Sequence, residues 1–296
     1  TRFLLPILGL RKNTADLIKL TVDEQMSKRP VGQLVEALVE LGMNIDVPAG
    51  GVSEYPLSVS GQLLGGATAV DGGTSQFISA LLIALPLAQR DSEVEVEHLQ
   101  ERPYMEMTLK WLDELGIEYE HIRDPDKDTF RIKRGQVYRS FKKVIPADFS
   151  SLSYALAASV LVPGDLEIQN MDMNDVQPDK GLVKILEEMG ASSGGDQRYR
   201  FKKGALKGVQ IDANDFPDLV PTLAVLATQA EGETHIYNVA HARIKETDRI
   251  HSMCTELQKM GADIEEKQDG LVVRKSNLMG AKVHGYGDHR TVMALA

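Results

Sequence analysis

Residues Leu34 to Val47 read Leu-Val-Glu-Ala-Leu-Val-Glu-Leu-Gly-Met-Asn-Ile-Asp-Val, and they carry the pattern that organises the whole chain. Leu34, Leu38 and Leu41 recur at helical spacing with acidic residues between them, which predicts an amphipathic helix. Gly42 follows the last apolar turn, the position where a left-handed residue closes a helix. The alternation Asn44-Ile45-Asp46-Val47 then predicts a strand. The same arrangement recurs at Leu115-Gly116-Ile117, Met189-Gly190-Ala191 and Met260-Gly261-Ala262. Each follows an apolar series at helical spacing: Leu109, Leu112, Leu115; Leu182, Ile185, Leu186, Met189; Ile250, Met253, Cys254, Leu257, Met260. Glycines 42, 116, 190 and 261 stand 74, 74 and 71 residues apart, so the chain is built of tandem units.

A second, more apolar helix recurs with the same period over Thr1 to Leu10, Ser75 to Ala88, Ser150 to Val162, Pro217 to Ala230 and His289 to Ala296. Taking Arg2, Gln76, Ser151, Leu219 and Thr291 as comparable points, the steps are 74, 75, 68 and 72 residues. These helices are apolar on most faces and are expected inside, with the amphipathic ones outside. Strands are predicted at Pro56 to Val59, Ala67 to Val70, Glu93 to Glu97, Thr129 to Lys133, Gly208 to Ile211, Glu233 to Tyr237, Asp263 to Glu265, Leu271 to Arg274 and Ala281 to Val283. The unit reads βαβαββ. The fold class is therefore α/β, with buried helices and sheets outside, and neither a phosphate-loop nor a dinucleotide glycine fingerprint occurs. The basic, proline-containing segment from Arg139 to Phe149 is the expected boundary between a first domain, 1–145, of about two units and a second, 146–296, of two units and the start of a third. Because the chain begins and stops inside apolar helices, both ends are expected to be truncated.

The 296 residues carry a net charge of -10, which argues against nucleic acid or an acidic membrane as partner and requires any anion to be held by a local basic cluster. Apolar runs such as Phe77 to Ala88 are too short to span a bilayer, and no signal peptide opens the chain, so a soluble cytoplasmic protein is expected. The single cysteine, Cys254, rules out an intrachain disulfide and a cysteine-based zinc site, and its apolar helix position predicts core packing.

Polar residues stand where the repeat alone predicts core or plain surface. At buried-helix starts these are Thr74-Ser75-Gln76, Ser150-Ser151 and Asp215 to Asp218; at amphipathic-helix starts they are Lys28-Arg29-Pro30, Arg102-Pro103-Tyr104 and Lys245 to Arg249. Helix N-termini present unpaired N–H groups and the positive end of the dipole, so hydroxyls, amides and basic side chains there suit a ligand bearing phosphate and carboxylate. The plainer reading of each is local: helix capping for Thr74 and Asp218, surface charge for Arg29 and Arg102, and Thr247 or Asp248 as cap of the last amphipathic helix.

Taken together, Thr74-Ser75-Gln76, Arg102-Pro103-Tyr104, Pro217-Asp218-Leu219-Val220-Pro221-Thr222, Arg243 to Ile250 (Arg-Ile-Lys-Glu-Thr-Asp-Arg-Ile) and Asp288-His289-Arg290 resemble the 5-enolpyruvylshikimate-3-phosphate synthase family over essentially the whole chain. The resemblance implies a two-domain enolpyruvyl transferase fold of repeated βαβαββ units, an inside-out α/β barrel in each domain, with a cleft that closes on shikimate 3-phosphate and phosphoenolpyruvate. It implies that Thr74, Ser75, Gln76, Arg102, Tyr104, Asp218, His241 and Lys245 contact shikimate 3-phosphate. By the same carry-over, Arg29, Gln76, Arg249, His289 and Arg290 contact phosphoenolpyruvate. Asp218 would be the base at the 5-hydroxyl and Glu246 the acid at the methylene carbon, with no metal or organic cofactor and the enzyme acting as a monomer. Glu101 departs from the pattern, standing where many members have a serine that binds the substrate phosphate; either Arg102 compensates or Glu101 turns outward. A sister transferase acting on UDP-N-acetylglucosamine shares the fold, but many of its members carry a cysteine shortly before the Arg-Pro, and residues 21–28 contain none. A non-catalytic fragment of the same fold is the alternative from another class.

Overall fold

In the computed structural model of the chain, every residue is described except 47–54, 163–165, 195–198 and 203. The chain forms two compact units, Thr1–Lys142 and Lys143–Ala296, each with its own apolar core.

The first unit opens with helix α1 (Leu4–Leu8), strand β1 (Ile18–Leu20), helices α2 (Glu24–Ser27) and α3 (Gly32–Glu40), and strands β2 (Met43–Asp46) and β3 (Leu57–Gly61). It continues through β4 (Ala67–Asp71), α4 (Ser75–Ala84), β5 (Ser92–Glu97), α5 (Arg102–Glu114), β6 (Tyr119–Arg123) and β7 (Lys127–Ile132). The second unit runs α6 (Phe149–Leu161), β8 (Glu167–Ile168), α7 (Gly181–Glu188), β9 (Ser192–Gly194) and β10 (Tyr199–Lys202). Then come β11 (Gln210–Asp212), α8 (Val220–Thr228), β12 (Glu233–Tyr237), α9 (Arg249–Lys259), β13 (Asp263–Lys267), β14 (Gly270–Arg274) and α10 (His289–Leu295).

The segments β4 to β7 and β11 to β14 are complete βαβαββ units. Their sheets have the orders β4-β5-β7-β6 and β11-β12-β14-β13, with the first pair parallel and the others antiparallel. In the other two units, three antiparallel strands pair in the orders β1-β3-β2 and β8-β10-β9. Glycines 42, 116, 190 and 261 have φ of 101°, 72°, 99° and 91°, so all four close their helices in the left-handed conformation the repeat demands.

Helices α4 and α8 are buried on nearly every face, whereas α3, α5, α7 and α9 each bury one stripe. Each fully buried leucine or isoleucine, such as Ile78, Leu81 or Leu223, contributes about 1.5–3 kcal/mol relative to exposure. The first and last apolar helices depart from the expected burial: Leu4 is 56% and Val292 52% exposed. The described contacts of α1 are chiefly with α4, and those of α10 with α8 and α9, which cover one side only. The expected strand at Ala281 to Val283 is irregular, solvent-facing chain with no paired strand among the described residues. Val47, the predicted end of β2, lies outside the described residues. No helix of the described residues is long and apolar enough to cross a membrane. Cys254 sits in the core of the second unit, as its helix position predicts.

Candidate active site

In every repeat the start of the buried helix meets the start of the following amphipathic helix, because the parallel strand or its equivalent returns the chain to the same end of the unit. Side chains join the two starts. Arg2 reaches Pro30, Ser75 reaches Glu101, Ser150 reaches Asp179 and Asp218 reaches Arg249, with sequence separations of 28, 26, 29 and 31 residues.

In the first unit Thr74 caps α4, its hydroxyl accepting from the Gln76 N–H at 3.4 Å. Ser75 is buried and donates to the Glu101 carboxylate at 3.1 Å. Glu101 is only 3% exposed and sits at φ 52°, a left-handed conformation that aims its side chain inward onto α4. The outward alternative for Glu101 is therefore excluded. Arg102 makes a two-pronged pair with Asp128, 2.8 and 2.7 Å, and His121 Nε2 lies 2.7 Å from the same carboxylate while its ring stacks on Phe130. Hydrogen bonding to Asp128 raises the Arg102 pKa against its partial desolvation. Burial opposes ionisation of Asp128, yet Arg102 and His121 outweigh it and hold the carboxyl below its ordinary range. The Arg102 guanidinium is thus engaged by strand β7, which weakens the alternative in which it offsets Glu101. Tyr104 lies on the first turn of α5, half-buried, and Arg29 follows α2, where its N–H donates to Met26 at 3.1 Å.

The second unit gathers the densest cluster. Arg249, the first residue of α9, is 1% exposed and donates through Nη1 to Asp218 (2.5 Å), through Nη2 to Glu246 (2.7 Å) and through Nε to Asp288 (2.8 Å). Asp218 lies in the 3-10 turn Pro217–Leu219 that leads into α8, and its second oxygen accepts from Arg290 at 2.7 Å. It is therefore no simple helix cap. Burial works against the charge of Arg249, but Asp218, Asp288 and Glu246 overcome it and hold the guanidinium firmly protonated. The same balance, with Asp218 as the favourable partner, raises Arg290. Asp288 is fully buried and also caps α10 through the Arg290 N–H at 2.8 Å. Asp248, one of the two expected caps, caps α9 through the His251 N–H at 2.9 Å.

His241, Lys245 and His289 are the remaining predicted residues of this unit. His289 is exposed, with its ring 3.7 Å from Asp288. His241 is buried, and desolvation depresses its pKa despite the backbone of Asn214 and the charge of Asp215. Its Nε2 has no hydrogen-bond partner among the described residues. Lys245 is half-buried and ends the short 3-10 helix Ala240–Ile244. Arg243, from the same charged stretch, turns away to Asp248 and Glu266 at 2.8 and 2.7 Å.

Several organising residues escaped the sequence reading. Asp288 stands inside the Asp288-His289-Arg290 motif, and its N-cap position before α10 is the available signal. Glu256, on α9 two turns beyond Arg249, is wholly buried and accepts from Tyr286 Oη (2.8 Å), the His284 N–H (2.9 Å) and Lys259 (2.7 Å), seating the turn that leads to Asp288. Arg2 is 5% exposed and its only signal was its equivalence to Gln76 in the repeat. Nothing in the sequence marked Asp128.

Comparison with solved structures places this architecture among the enolpyruvyl transferases. An EPSP synthase from Acinetobacter baumannii superposes with TM-score 0.74 at 24% identity, covering 99% of this chain and 68% of that one. The enolpyruvyl transferase NikO from Streptomyces tendae gives 0.67 at 16% identity, covering 99% and 69%. These likenesses define the fold. The family model for EPSP synthase (3-phosphoshikimate 1-carboxyvinyltransferase) matches residues 1–296, and the chain belongs to that family. It is 47% identical over 277 residues to a 3-phosphoshikimate 1-carboxyvinyltransferase of Ruminiclostridium cellulolyticum, covering 93% of this chain. The chain spans 65% of the length of that relative.

Proposed function

We propose that this protein transfers the enolpyruvyl group of phosphoenolpyruvate to the 5-hydroxyl of shikimate 3-phosphate, releasing inorganic phosphate. The observation that carries the reading is the pairing of Asp218 and Glu246 on neighbouring nitrogens of one buried guanidinium, Arg249, with Arg290 on the far oxygen of Asp218. The reaction requires a base and an acid beside fixed cations, and this cluster supplies both kinds of group. Asp218 takes the proton of the attacking hydroxyl while Glu246 protonates the methylene carbon of phosphoenolpyruvate. The hydroxyl oxygen bonds to the central carbon, giving a tetrahedral phosphate-bearing intermediate. In the second half a proton leaves the new methyl group for Glu246, the carbon–oxygen bond to phosphate breaks, and the double bond re-forms as the enol ether. Arg249 and Arg290 carry the anionic charge of phosphoenolpyruvate, with Arg29, Gln76 and His289 as further contacts. Thr74, Ser75, Gln76, Arg102, Tyr104, His241 and Lys245 serve shikimate 3-phosphate. That its relatives are 3-phosphoshikimate 1-carboxyvinyltransferases supports the reaction assigned here. We place the enzyme in the cytoplasm as a monomer.

A second reading is a chain of the same fold that binds without turnover. Phosphate release separates the two. Release from phosphoenolpyruvate with shikimate 3-phosphate, but not with UDP-N-acetylglucosamine, supports the first. Replacing Asp218→Asn or Glu246→Gln should abolish release while leaving ligand binding largely intact, and full turnover by both variants would refute the assigned roles. Ligand binding with no release by the unmodified chain favours the second reading.

A further inference from the structure

Arg2 lies just ahead of α1, and its guanidinium joins Gln76, assigned to phosphoenolpyruvate, to Pro30, the residue that follows Arg29. Nε and Nη2 both donate to the Pro30 carbonyl, 3.1 and 2.6 Å, and Nη1 donates to Gln76 Oε1 at 3.0 Å. Its Cζ lies over the Phe77 ring, 5.2 Å from the centroid, so the residue following Gln76 also contacts the guanidinium. Burial raises the pKa of Tyr55, and the charges of Arg2 and Arg29 both work to lower it.

An arginine has donors only. Whatever atom of the Gln76 amide faces Arg2 must therefore be its oxygen, and the amide NH2 is turned the other way. That orientation matters for an anion. An amide free to flip presents an acceptor to a carboxylate or phosphate half of the time, whereas one held through its oxygen presents two N–H donors always. The doubly clamped Pro30 carbonyl fixes the Arg29-Pro30 corner in the same way, and with it the backbone from which Arg29 projects.

We propose that Arg2 is a positioning residue for the anion-binding groups of the first unit, locking the Gln76 amide with its N–H donors outward and anchoring the corner that carries Arg29. This rests on the function proposed above, and it adds a residue that acts through Gln76 and the Arg29-Pro30 corner. A lysine at this position keeps the charge but cannot fork to Pro30 and Gln76 together.

Isothermal titration with phosphoenolpyruvate in the presence of shikimate 3-phosphate, carried out throughout in a Glu246→Gln background that binds both without turnover, tests it. Arg2→Lys should weaken phosphoenolpyruvate about tenfold, the worth of one charge-assisted hydrogen bond. In a Gln76→Ala background the part of that loss transmitted through Gln76 should vanish, so the double variant binds more tightly than independent losses require. Strict additivity, or wild-type affinity in Arg2→Lys, overturns the inference while leaving the proposed function standing. No binding by the unmodified chain removes both. Should Arg2→Lys fail to fold, side-chain NMR of the unmodified chain decides. Phosphoenolpyruvate should shift the Gln76 amide protons and leave the Arg2 Nε–H on Pro30 in place, and the reverse pattern refutes the positioning role.

Discussion

Replacing Arg249→Met removes the one cation shared by Asp218, Glu246 and Asp288 while keeping much of the side-chain volume. Arg249 is 1% exposed and Asp288 fully buried, so water cannot readily take over the lost contacts. Unit charges about 4 Å apart interact by about 4 kcal/mol at an effective dielectric of 20, so three carboxylates supply a gross attraction on the order of 12 kcal/mol. Most of this is offset by desolvation of the guanidinium and repulsion among the carboxylates. Removing one partner of a buried ionic group leaves about 3–5 kcal/mol of net destabilisation. For a domain of this size that corresponds to a fall in melting temperature of roughly 6–20 °C, read by calorimetry at pH 7 on the transition of the second unit. The diagnostic step is a double variant. Asp288→Asn added to Arg249→Met removes the most deeply buried uncompensated charge, and it should recover at least about 1–2 kcal/mol, although Asp288→Asn alone destabilises. A melting temperature for Arg249→Met within about 2 °C of the unmodified chain, or a double variant worse than the sum of its singles, would refute the view that Arg249 is held by charge.

Asp128→Asn should destabilise the first unit by about 2–4 kcal/mol in denaturant titration, since Arg102 and His121 lose their shared partner. His241 should make the second unit acid-sensitive. Its folded pKa lies below the ordinary value of about 6.5, so as pH falls past that value the unfolded chain takes up the proton first. The stabilisation is complete above pH 6.5 and is lost downwards, by up to about 1.4 kcal/mol per pH unit until the folded pKa is reached, and His241→Asn should flatten that slope. Burial pushes the Cys254 thiol up and leaves it 4% exposed, so iodoacetamide should label it at least about tenfold more slowly in the folded chain than in urea.

The repeat was readable because its punctuation is local. A helix that ends in a left-handed residue needs glycine for steric reasons alone, and Gly42, Gly116, Gly190 and Gly261 carry that requirement whatever surrounds them. Strand pairing is not local. Ala281 to Val283 alternates like β13, yet no strand of the described residues lies beside it, and alternation without a neighbour leaves irregular chain. Charge pairing was equally hidden. Asp128 sits in a strand among Lys127, Thr129 and Arg131 and reads as surface, and its burial depends on Arg102 and His121, which lie 26 and 7 residues away. Glu101 was legible as a departure but not in its orientation, which follows from a backbone angle that no side-chain pattern encodes.

The four joints between helix starts show how one architecture yields one reactive place. In the first, a buried arginine holds a carbonyl and an amide; in the next two, a serine hydroxyl is bonded to a buried acid, Glu101 or Asp179. None of these bonds joins a carboxylate to a cation. In the fourth, the residue at the buried-helix start is itself an acid, Asp218, and the residue opposite is Arg249, which also binds Glu246 from the approach to its own helix. The repeat fixes the approach of the two helix starts, so the four joints differ mainly in which side chains meet there. In the fourth, a proton acceptor and a second carboxylate meet on a common cation. Moving that chemistry to another repeat would require changing both partners at once, because an isolated aspartate at the Ser75 or Ser150 position would face Glu101 or Asp179 as a like charge in a desolvated setting. Ser150→Asp should therefore destabilise the second unit strongly, and Ser150→Asp with Asp179→Arg should regain part of the loss. A Ser150→Asp chain as stable as the original would show that the joints tolerate charge freely and that the fourth is not set apart by its pairing.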